Sequence, residues 1–551
     1  MNHDFSRRHD FDALRASMML LGILLHGALS FAPIPWVVQD SRQHEAFALL
    51  FSAVHGFRMP VFFLMSGFFT AMLWRKRGMK GTLKHRFQRI VLPFLLSLVT
   101  VLPLLNWVSF RAIASGSAAP TAERSPQPEA PPGEDLWTAA ASGNLRILER
   151  RLSEGADPNA PDPVAGVTPL AWTALFGQEA AAEKLLDHGA DPNARNRDGT
   201  TPLHAAAFLG RAEVAALLPR YGADPTAPSY TGETPLDSLT ASWEAVQYIA
   251  GLLNIPVERA AVEAGRKKVA ELLQQTTTGR SVGASVRRWI ARQMNVSLFH
   301  HLWFLWFLIW LIAGFSCYAL FVERTGWKGL PRRWLAPPRA LLWLIPLTML
   351  PQHWMGRFGP SFGPDTSAGL IPMPHVLAYY AIFFFYGALL FDREEPTWNP
   401  ARGWGWMLLA GLCVFLPLGL RATFTPVEAL PQGWRRPLAD LLQVGYTWTM
   451  TFGLMGMFRR LLRRESYAVR YVSDSSYWLY LVHLPLIIAA QMVVRNWKLP
   501  ALVKYGIVCG SVTVLLLLSY QLMVRYTWIG RMLNGPRTRR QKTAPIPASG
   551  G

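Results

Sequence analysis

The stretch 12-DALRASMMLLGILLHGALS-30 decides how the chain is read. Between Arg15 and Ser30 its only ionisable side chain is His26. A helix that crosses a bilayer core of about 30 Å needs roughly 20 consecutive residues of this apolar kind. With Arg15 at the inner surface, His26 lies about 16 Å deeper at 1.5 Å per residue, near the middle of the membrane. An ionisable group at that depth is costly and marks a functional-site candidate. Its plainer role is a hydrogen bond between helices. A neutral imidazole beside a buried site can also remove a proton from a hydroxyl, the task of a general base.

Working outward, the whole chain shares this character. Of 551 residues, 51% are hydrophobic and 16% are charged, well below the quarter or so typical of soluble domains. Disorder and an ordinary soluble enzyme are both excluded. The net charge of +20 is unevenly placed. Residues 116–280 hold 14 of the 55 Lys and Arg and 21 of the 35 Asp and Glu, a net of −7, so the greasy remainder carries +27. Basic residues in the apolar part fit cationic loops of a membrane protein better than nucleic-acid binding. Cys317, Cys413 and Cys509 lie in apolar runs and offer neither a disulfide framework nor a metal site. Arg7-Arg8 before an apolar run imitates a secretory signal, but the many later apolar segments favour a retained first span.

Ten segments approach spanning length: 14–33, 55–74, 90–110, 302–322, 340–356, 376–392, 404–421, 440–458, 476–494 and 502–524. Prolines interrupt the fifth (Pro346, Pro351) and the seventh (Pro417). The connection 75-RKRGMKGTLKHRFQR-89 is strongly basic, as are the regions after the fourth, eighth and tenth segments (Arg324, Lys328, Arg332, Arg333; Arg459, Arg460, Arg463, Arg464; Arg525, Arg531, Arg537, Arg539, Arg540). All fall on the side shared with the N-terminus, which the positive-inside rule assigns to the cytoplasm.

Parity then sends the long connection between the third and fourth segments outside. After a Pro/Ala/Ser/Glu linker, Gly166-Val-Thr-Pro-Leu170, Gly199-Thr-Thr-Pro-Leu203 and Gly232-Glu-Thr-Pro-Leu236 recur at 33-residue spacing. Gly155-Ala-Asp-Pro-Asn159 recurs at Gly189 and, ending in Thr, at Gly222. Period and motifs resemble ankyrin repeats. About four units are expected over 135–275, with a truncated first and an eroded last as caps. His188 and His204 are read as structural or surface residues. The division is therefore 1–111 membrane core, 112–134 linker, 135–275 ankyrin domain, 276–301 re-entry, 302–524 membrane core and 525–551 basic tail. The fold class is all-α: a polytopic helical bundle of about ten spans with an inserted α-solenoid.

Asp12-Ala-Leu-Arg15 with His26, Phe62-Phe-Leu-Met-Ser-Gly-Phe68, Arg86-Phe-Gln-Arg89-Ile-Val-Leu-Pro93 and Ser476-Tyr-Trp-Leu-Tyr480-Leu-Val-His483-Leu-Pro485 occur in an order that resembles the acyltransferase-3 family of membrane proteins. His301-Leu-Trp-Phe-Leu305 resembles its glucan-modifying branch. The resemblance implies an integral-membrane O-acyltransferase, expected in a bacterial inner membrane; the insert departs from the family's common plan, and span parity with the basic loops puts it on the periplasmic side. An acyl group, acetyl or succinyl, would pass from cytoplasmic acyl-CoA, a donor substrate and not a resident cofactor, to a carbohydrate hydroxyl.

In that frame His26 is the expected base, and Asp12 and Arg15 either pair structurally or assist it. Arg86 and Arg89 suit the phosphates of coenzyme A, with help expected from helix-start amides. His301, Trp303, Tyr480 and His483 are expected at the substrate, Tyr480 and His483 chiefly by shaping the site. His55, His301, His353 and His375 fall at expected outer helix ends and, with Asp365 of the outer loop, Trp303 and Trp354, are placed where an acceptor would enter; the aromatics there also suit a membrane belt. The scattered histidines lack metal-ligand spacing, so no metal is assigned. Lipid, and a protein partner on the ankyrin surface, complete the expected partners; nucleic acid is not among them. The competing class is a scaffold or transporter whose ankyrin domain recruits a protein. A transporter would ordinarily repeat its membrane half, and no such repeat is visible.

Overall fold

The computed structural model describes residues 8–34, 36–116, 135–162, 166–230, 232–253, 255–276, 290, 293–294, 297–327, 329–356, 361–392, 403–425, 432–462 and 466–535. Lys328, Arg463, Arg464, Arg537, Arg539 and Arg540, most of the linker before the repeats, the stretch 277–289 and the end of the basic tail lie outside them. Regular structure among the described residues is entirely helical.

Helix α1 (His9–Ala28) opens with Asp10 and Asp12 in its first turn, where the helix dipole favours carboxylates, and ends in a short 3-10 turn, Leu29–Phe31. Helix α2 (Glu45–Arg86) follows. The basic stretch 75–89 is mostly helical: the chain breaks only at Gly78 (φ 67°, ψ 176°), which L side chains rarely adopt. It then runs through a π-turn, Phe87–Val91, into helices Leu92–Val99 and Val101–Gly116. Arg86 therefore stands two turns inside a helix, and the helix-start amides expected beside it belong instead to the residues after Gly78.

Among the described residues seven helical runs are long and apolar enough to cross a membrane: His9–Phe31, Glu45–Val99, His300–Thr325, Pro374–Asp392, Trp404–Phe424, Tyr467–Val494 and Ala501–Val524. Helices occupy the other expected positions without meeting that standard. Arg339–Gln352 has 14 residues, about 21 Å. Gln432–Leu461 has 30, but its uncharged stretch 441–458 is diluted by Gln, Gly, Thr, Tyr and Trp and is less apolar than that standard. The third expected segment is continuous with α2 through the π-turn. Leu342, Leu350, Trp406, Val514, Leu518 and Leu522 are exposed on the outside of the bundle, as suits a lipid-facing surface.

Helix packing follows the small residues. A Cβ at Gly67 would overlap the carbonyl of Phe384, and one at Gly387 that of Leu64. The Ser-Gly motif in α2 thus allows backbone-to-backbone contact with Pro374–Asp392. Around that contact lies an aromatic core including Phe63, Tyr380 and the Phe383–Trp448 stack at 4.2 Å. A buried Lys504–Asp40 ion pair (2.6 Å) pins the α1–α2 connection to helix Ala501–Ser519.

The insert forms helix pairs. Thr168, Thr201 and Thr234 cap helices with Pro in the first turn, and Gly177 and Gly210 close the first two in the left-handed region. Asn159 accepts from the Asp191 amide and Asn193 from the Asp224 amide, each at 2.7 Å. These bonds rivet one repeat to the next. His204 is structural, as expected: its Nδ1 accepts from the Thr201 amide (3.1 Å) and its Nε2 donates to the Glu233 carbonyl (2.8 Å).

Candidate active site

Inside the membrane part a cavity of about 1120 Å³ runs from the Asp12, Arg15, Arg86 and Arg89 end of the bundle to Trp36, Phe51 and His55 at the other, past His26, Arg58, His301 and His483. It contains all nine sequence-predicted site residues.

Its centre is built by two prolines. Pro485 lies inside helix Tyr467–Val494 and has no N–H, so the Leu481 carbonyl one turn earlier loses its helical partner. His301 Nε2 donates to that carbonyl at 3.0 Å. In return Tyr480 donates its hydroxyl to the His301 carbonyl at 2.6 Å. Pro60 in α2 frees the Gly56 carbonyl in the same way, and Thr447 Oγ1 donates to it at 2.8 Å. The Tyr480 hydroxyl is thus spent on a clasp, which fits the shaping role. Trp303 is 7% exposed and packs on Phe63, Phe307 and Tyr380, so its ring is chiefly wall.

The hydrogen bonds fix the tautomers. His483 Nδ1 faces the carbonyls of Tyr480 (2.8 Å) and Leu479 (3.1 Å), both acceptors, so it carries the proton. Neutral His483 then presents a bare Nε2, which lies 3.0 Å from His26 Nδ1 and accepts from it. His26 therefore carries its proton on Nδ1, leaving Nε2 as a lone pair, the form a general base needs. Gln491 donates to the carbonyls of His26 (3.1 Å) and Gly27 (3.2 Å) and accepts from Trp36 Nε1 (2.9 Å). It thereby satisfies carbonyls at the open end of α1 and holds the His26 backbone.

At the basic end Arg15 pairs with Asp12 (3.0 Å), and Ser473 links the two, accepting from Arg15 (2.6 Å) and donating to Asp12 (3.0 Å). Arg86 donates to Thr70 Oγ1 at 2.7 Å, while its Nε, His85 Nδ1 and the Tyr477 hydroxyl are buried without a hydrogen-bond partner among the described residues. Arg89 also lines this mouth. Partnerless donors beside arginines suit a polyanion.

At the other end His55 lines the cavity, bonded to the Pro364 carbonyl (2.9 Å), whereas His353 pairs with Asp440 (2.9 Å) and is not in the wall, nor are Trp354, His375 and Asp365. Of the outer residues expected at an acceptor entrance, the structure thus brings His55 to the cavity and places His301 deep inside it. Sequence reasoning missed Arg58, Ser473, Tyr477 and Gln491. Arg58 alone carried a signal, a charge within an apolar run, and its position near the outer end of the 55–74 segment made it look interfacial.

A polytopic helical bundle enclosing a cavity lined by His26, His301 and His483, with arginines at one end, is the architecture that the comparisons with known proteins have to account for. The family described as Acyltransferase domain matches residues 8–124 and 282–521, more than half of the chain, and the chain belongs to this family, acyltransferase-3. Ankyrin repeats, three copies, match residues 136–229. Glucans biosynthesis protein C of Escherichia coli K12 is 36% identical over 104 residues, 19% of this chain and 26% of the relative; the proteins of that name from the O1:K1 and O157:H7 strains match to the same extent. The match spans about a quarter of the length of these curated relatives.

Proposed function

We propose that the chain is a membrane O-acyltransferase that moves an acyl group, acetyl or succinyl, from acyl-CoA at the Arg86/Arg89 mouth to a carbohydrate hydroxyl entering from the His55 end, with His26 as base. The observation that carries this reading is the His26–His483 contact, which leaves Nε2 of His26 as the lone-pair nitrogen, on a residue in the wall of a cavity lined by basic residues at one end and by aromatic and polar ones at the other. Arg86 and Arg89 would meet phosphates with guanidinium forks. Trp36 and Phe51 offer faces on which a sugar ring can stack. The relatives' name, glucans biosynthesis protein C, supports a glucan acceptor.

The steps follow from these positions. His26 Nε2 takes the proton of the acceptor hydroxyl, and the oxygen attacks the thioester carbonyl carbon. The resulting imidazolium keeps donating from Nδ1 to His483 Nε2, which spreads its charge toward the Tyr480 and Leu479 carbonyls. Collapse expels the coenzyme A thiolate, which takes the proton from His26 Nε2. Asp12, Arg15 and Ser473 act as a fixed set at the donor mouth.

The basic loops argue for a cytoplasmic donor mouth in a bacterial inner membrane and for an ankyrin domain on the periplasmic side, where its surface would recruit a protein partner. Ser153 is exposed; as Ser153→Cys in a variant otherwise free of cysteine, it should react with an impermeant maleimide on spheroplasts. Labelling only after membrane rupture would put the repeats in the cytoplasm. Transfer from acyl-CoA to a glucose oligosaccharide by purified full-length protein tests the activity itself; absence of transfer and of donor binding would refute it.

A further inference from the structure

Arg58 has no part in the steps above, yet it lies in the wall of the same cavity. It belongs to α2, in the apolar run 55–74, where a charge is costly to keep. Burial of that kind normally comes with a carboxylate partner. Among the described residues no carboxylate pairs with Arg58; the phenols of Tyr480 and Tyr380 act on it electrostatically, and its charge bears in turn on His26, His483 and His55. Its Nε is buried without a hydrogen-bond partner among the described residues.

Gly22 explains where the guanidinium sits. A Cβ at that position would collide with Arg58 Nη1 and crowd its central carbon. The Nη1 end of the guanidinium therefore abuts α1 at a residue one turn before His26, on the same face of the helix. One turn is about 5.4 Å, and the displacement is toward the Arg86/Arg89 end, the side from which the donor is read to come. A thioester lying between that mouth and His26 Nε2 must put its carbonyl group past the Arg58 guanidinium.

We infer that Arg58 is the electrophilic catalyst of the transfer: its guanidinium N–H groups hold the thioester carbonyl oxygen and the oxyanion that forms there. As the acceptor oxygen bonds to the carbonyl carbon, the π pair moves onto the carbonyl oxygen, whose new negative charge meets a fixed cation inside the helical bundle. When the pair returns, the carbon–sulfur bond breaks and the thiolate leaves with the proton from His26. The site needs no other counter-ion for Arg58, because the reaction supplies one. This inference rests on the acyl-CoA reading, and its test separates the two.

The test uses purified full-length protein, acetyl-CoA as donor probe and a glucose oligosaccharide as acceptor, with release of free coenzyme A as the readout and donor binding measured separately. Arg58→Gln should lower kcat about 10²–10³-fold, the loss seen when one oxyanion donor is removed, with acetyl-CoA binding unchanged; Arg58→Lys should recover part of it. Gly22→Ala, which displaces the guanidinium, should lower kcat in the wild-type background and have no further effect on top of Arg58→Gln. That non-additivity distinguishes lost catalysis from misfolding, which would add. Wild-type turnover with Arg58→Gln at full kcat would overturn the role of Arg58 alone. Equal, additive losses from the two substitutions would also overturn it. Wild-type protein that neither binds nor turns over acetyl-CoA would overturn both the donor reading and this one.

Discussion

His483 Nε2 and His26 Nδ1 lie 3.0 Å apart, and because two imidazole N–H groups cannot point at each other, one of them must be bare. The carbonyls of Tyr480 and Leu479 decide which, by claiming the Nδ1 proton of His483. The tautomer of one histidine is thus set by the backbone of another helix. His483→Ala should lower kcat about 10²-fold, by analogy with the loss of a tautomer-fixing partner in other base-assisted transfers, with KM for donor and acceptor little changed. His483→Gln, whose Oε1 can still accept from Nδ1, should recover part of the rate. Equal rates in the two variants would assign His483 to packing alone.

Pro485 supplies the second prediction. Pro485→Ala restores an N–H that would compete with His301 for the Leu481 carbonyl. The helix itself should gain stability, since an interior proline costs about 3 kcal/mol relative to alanine, while activity should fall as His301 loses its anchor. A rise in the thermal midpoint in detergent with lowered kcat is the expected pair of results. Unchanged activity would show that the His301 clasp does not position the site.

The two basic-mouth arginines should separate. Arg86 is bonded to Thr70 across the Gly78 break, so Arg86→Ala removes a structural hydrogen bond from a charged group that ties the two helical segments together, about 1.5–3 kcal/mol, as well as the proposed phosphate contact. Arg89→Ala should leave the thermal midpoint close to that of wild type and raise KM for acyl-CoA, with a smaller effect at high salt. Donor dependence that is unchanged in both variants would assign the pair to topology.

Much of this site was legible in the residues, and the remainder has identifiable causes. Counting from Arg15 placed His26 at depth because helical rise is fixed. The motif around His483 pointed to the right helix, and Pro485 already announced a free carbonyl at Leu481. Nothing in the sequence said that His301 would take it, since the two lie 180 positions apart. Arg58 stands only three residues into the apolar run 55–74, whereas α2 starts at Glu45 and carries it further into the helix than the run alone suggests. The repeats were the clearest part, because each one restates its own caps. The span count was the weakest: apolar runs locate helices well, but their ends depend on π-turns and on the Gly78 break, which hydropathy does not register.

In the ankyrin domain His204 makes stability depend on pH. Burial holds its imidazole below the usual histidine range, against the opposing pull of the Glu233 carbonyl. The unfolded chain therefore binds more protons than the folded one just below the ordinary value, about 6.5. Its contribution is complete above that pH and is lost progressively as pH falls toward the depressed folded value, where protonation of Nδ1 also breaks the bond from Thr201. Amide-exchange protection over residues 136–229 of the full chain should weaken below about pH 6.5, and less so in His204→Gln. A pH-independent pattern in the wild type would contradict this.

The central claim is that His26 Nε2 removes the acceptor proton, and one comparison tests it most directly: single-turnover acyl transfer by His26→Ala and wild-type protein, each saturated with acetyl-CoA and matched for donor binding and elution as a folded species. The account predicts that the variant binds the donor as the wild type does and transfers about 10²–10⁴-fold more slowly, the contribution of a positioned general base. Transfer at the wild-type rate by His26→Ala would contradict it.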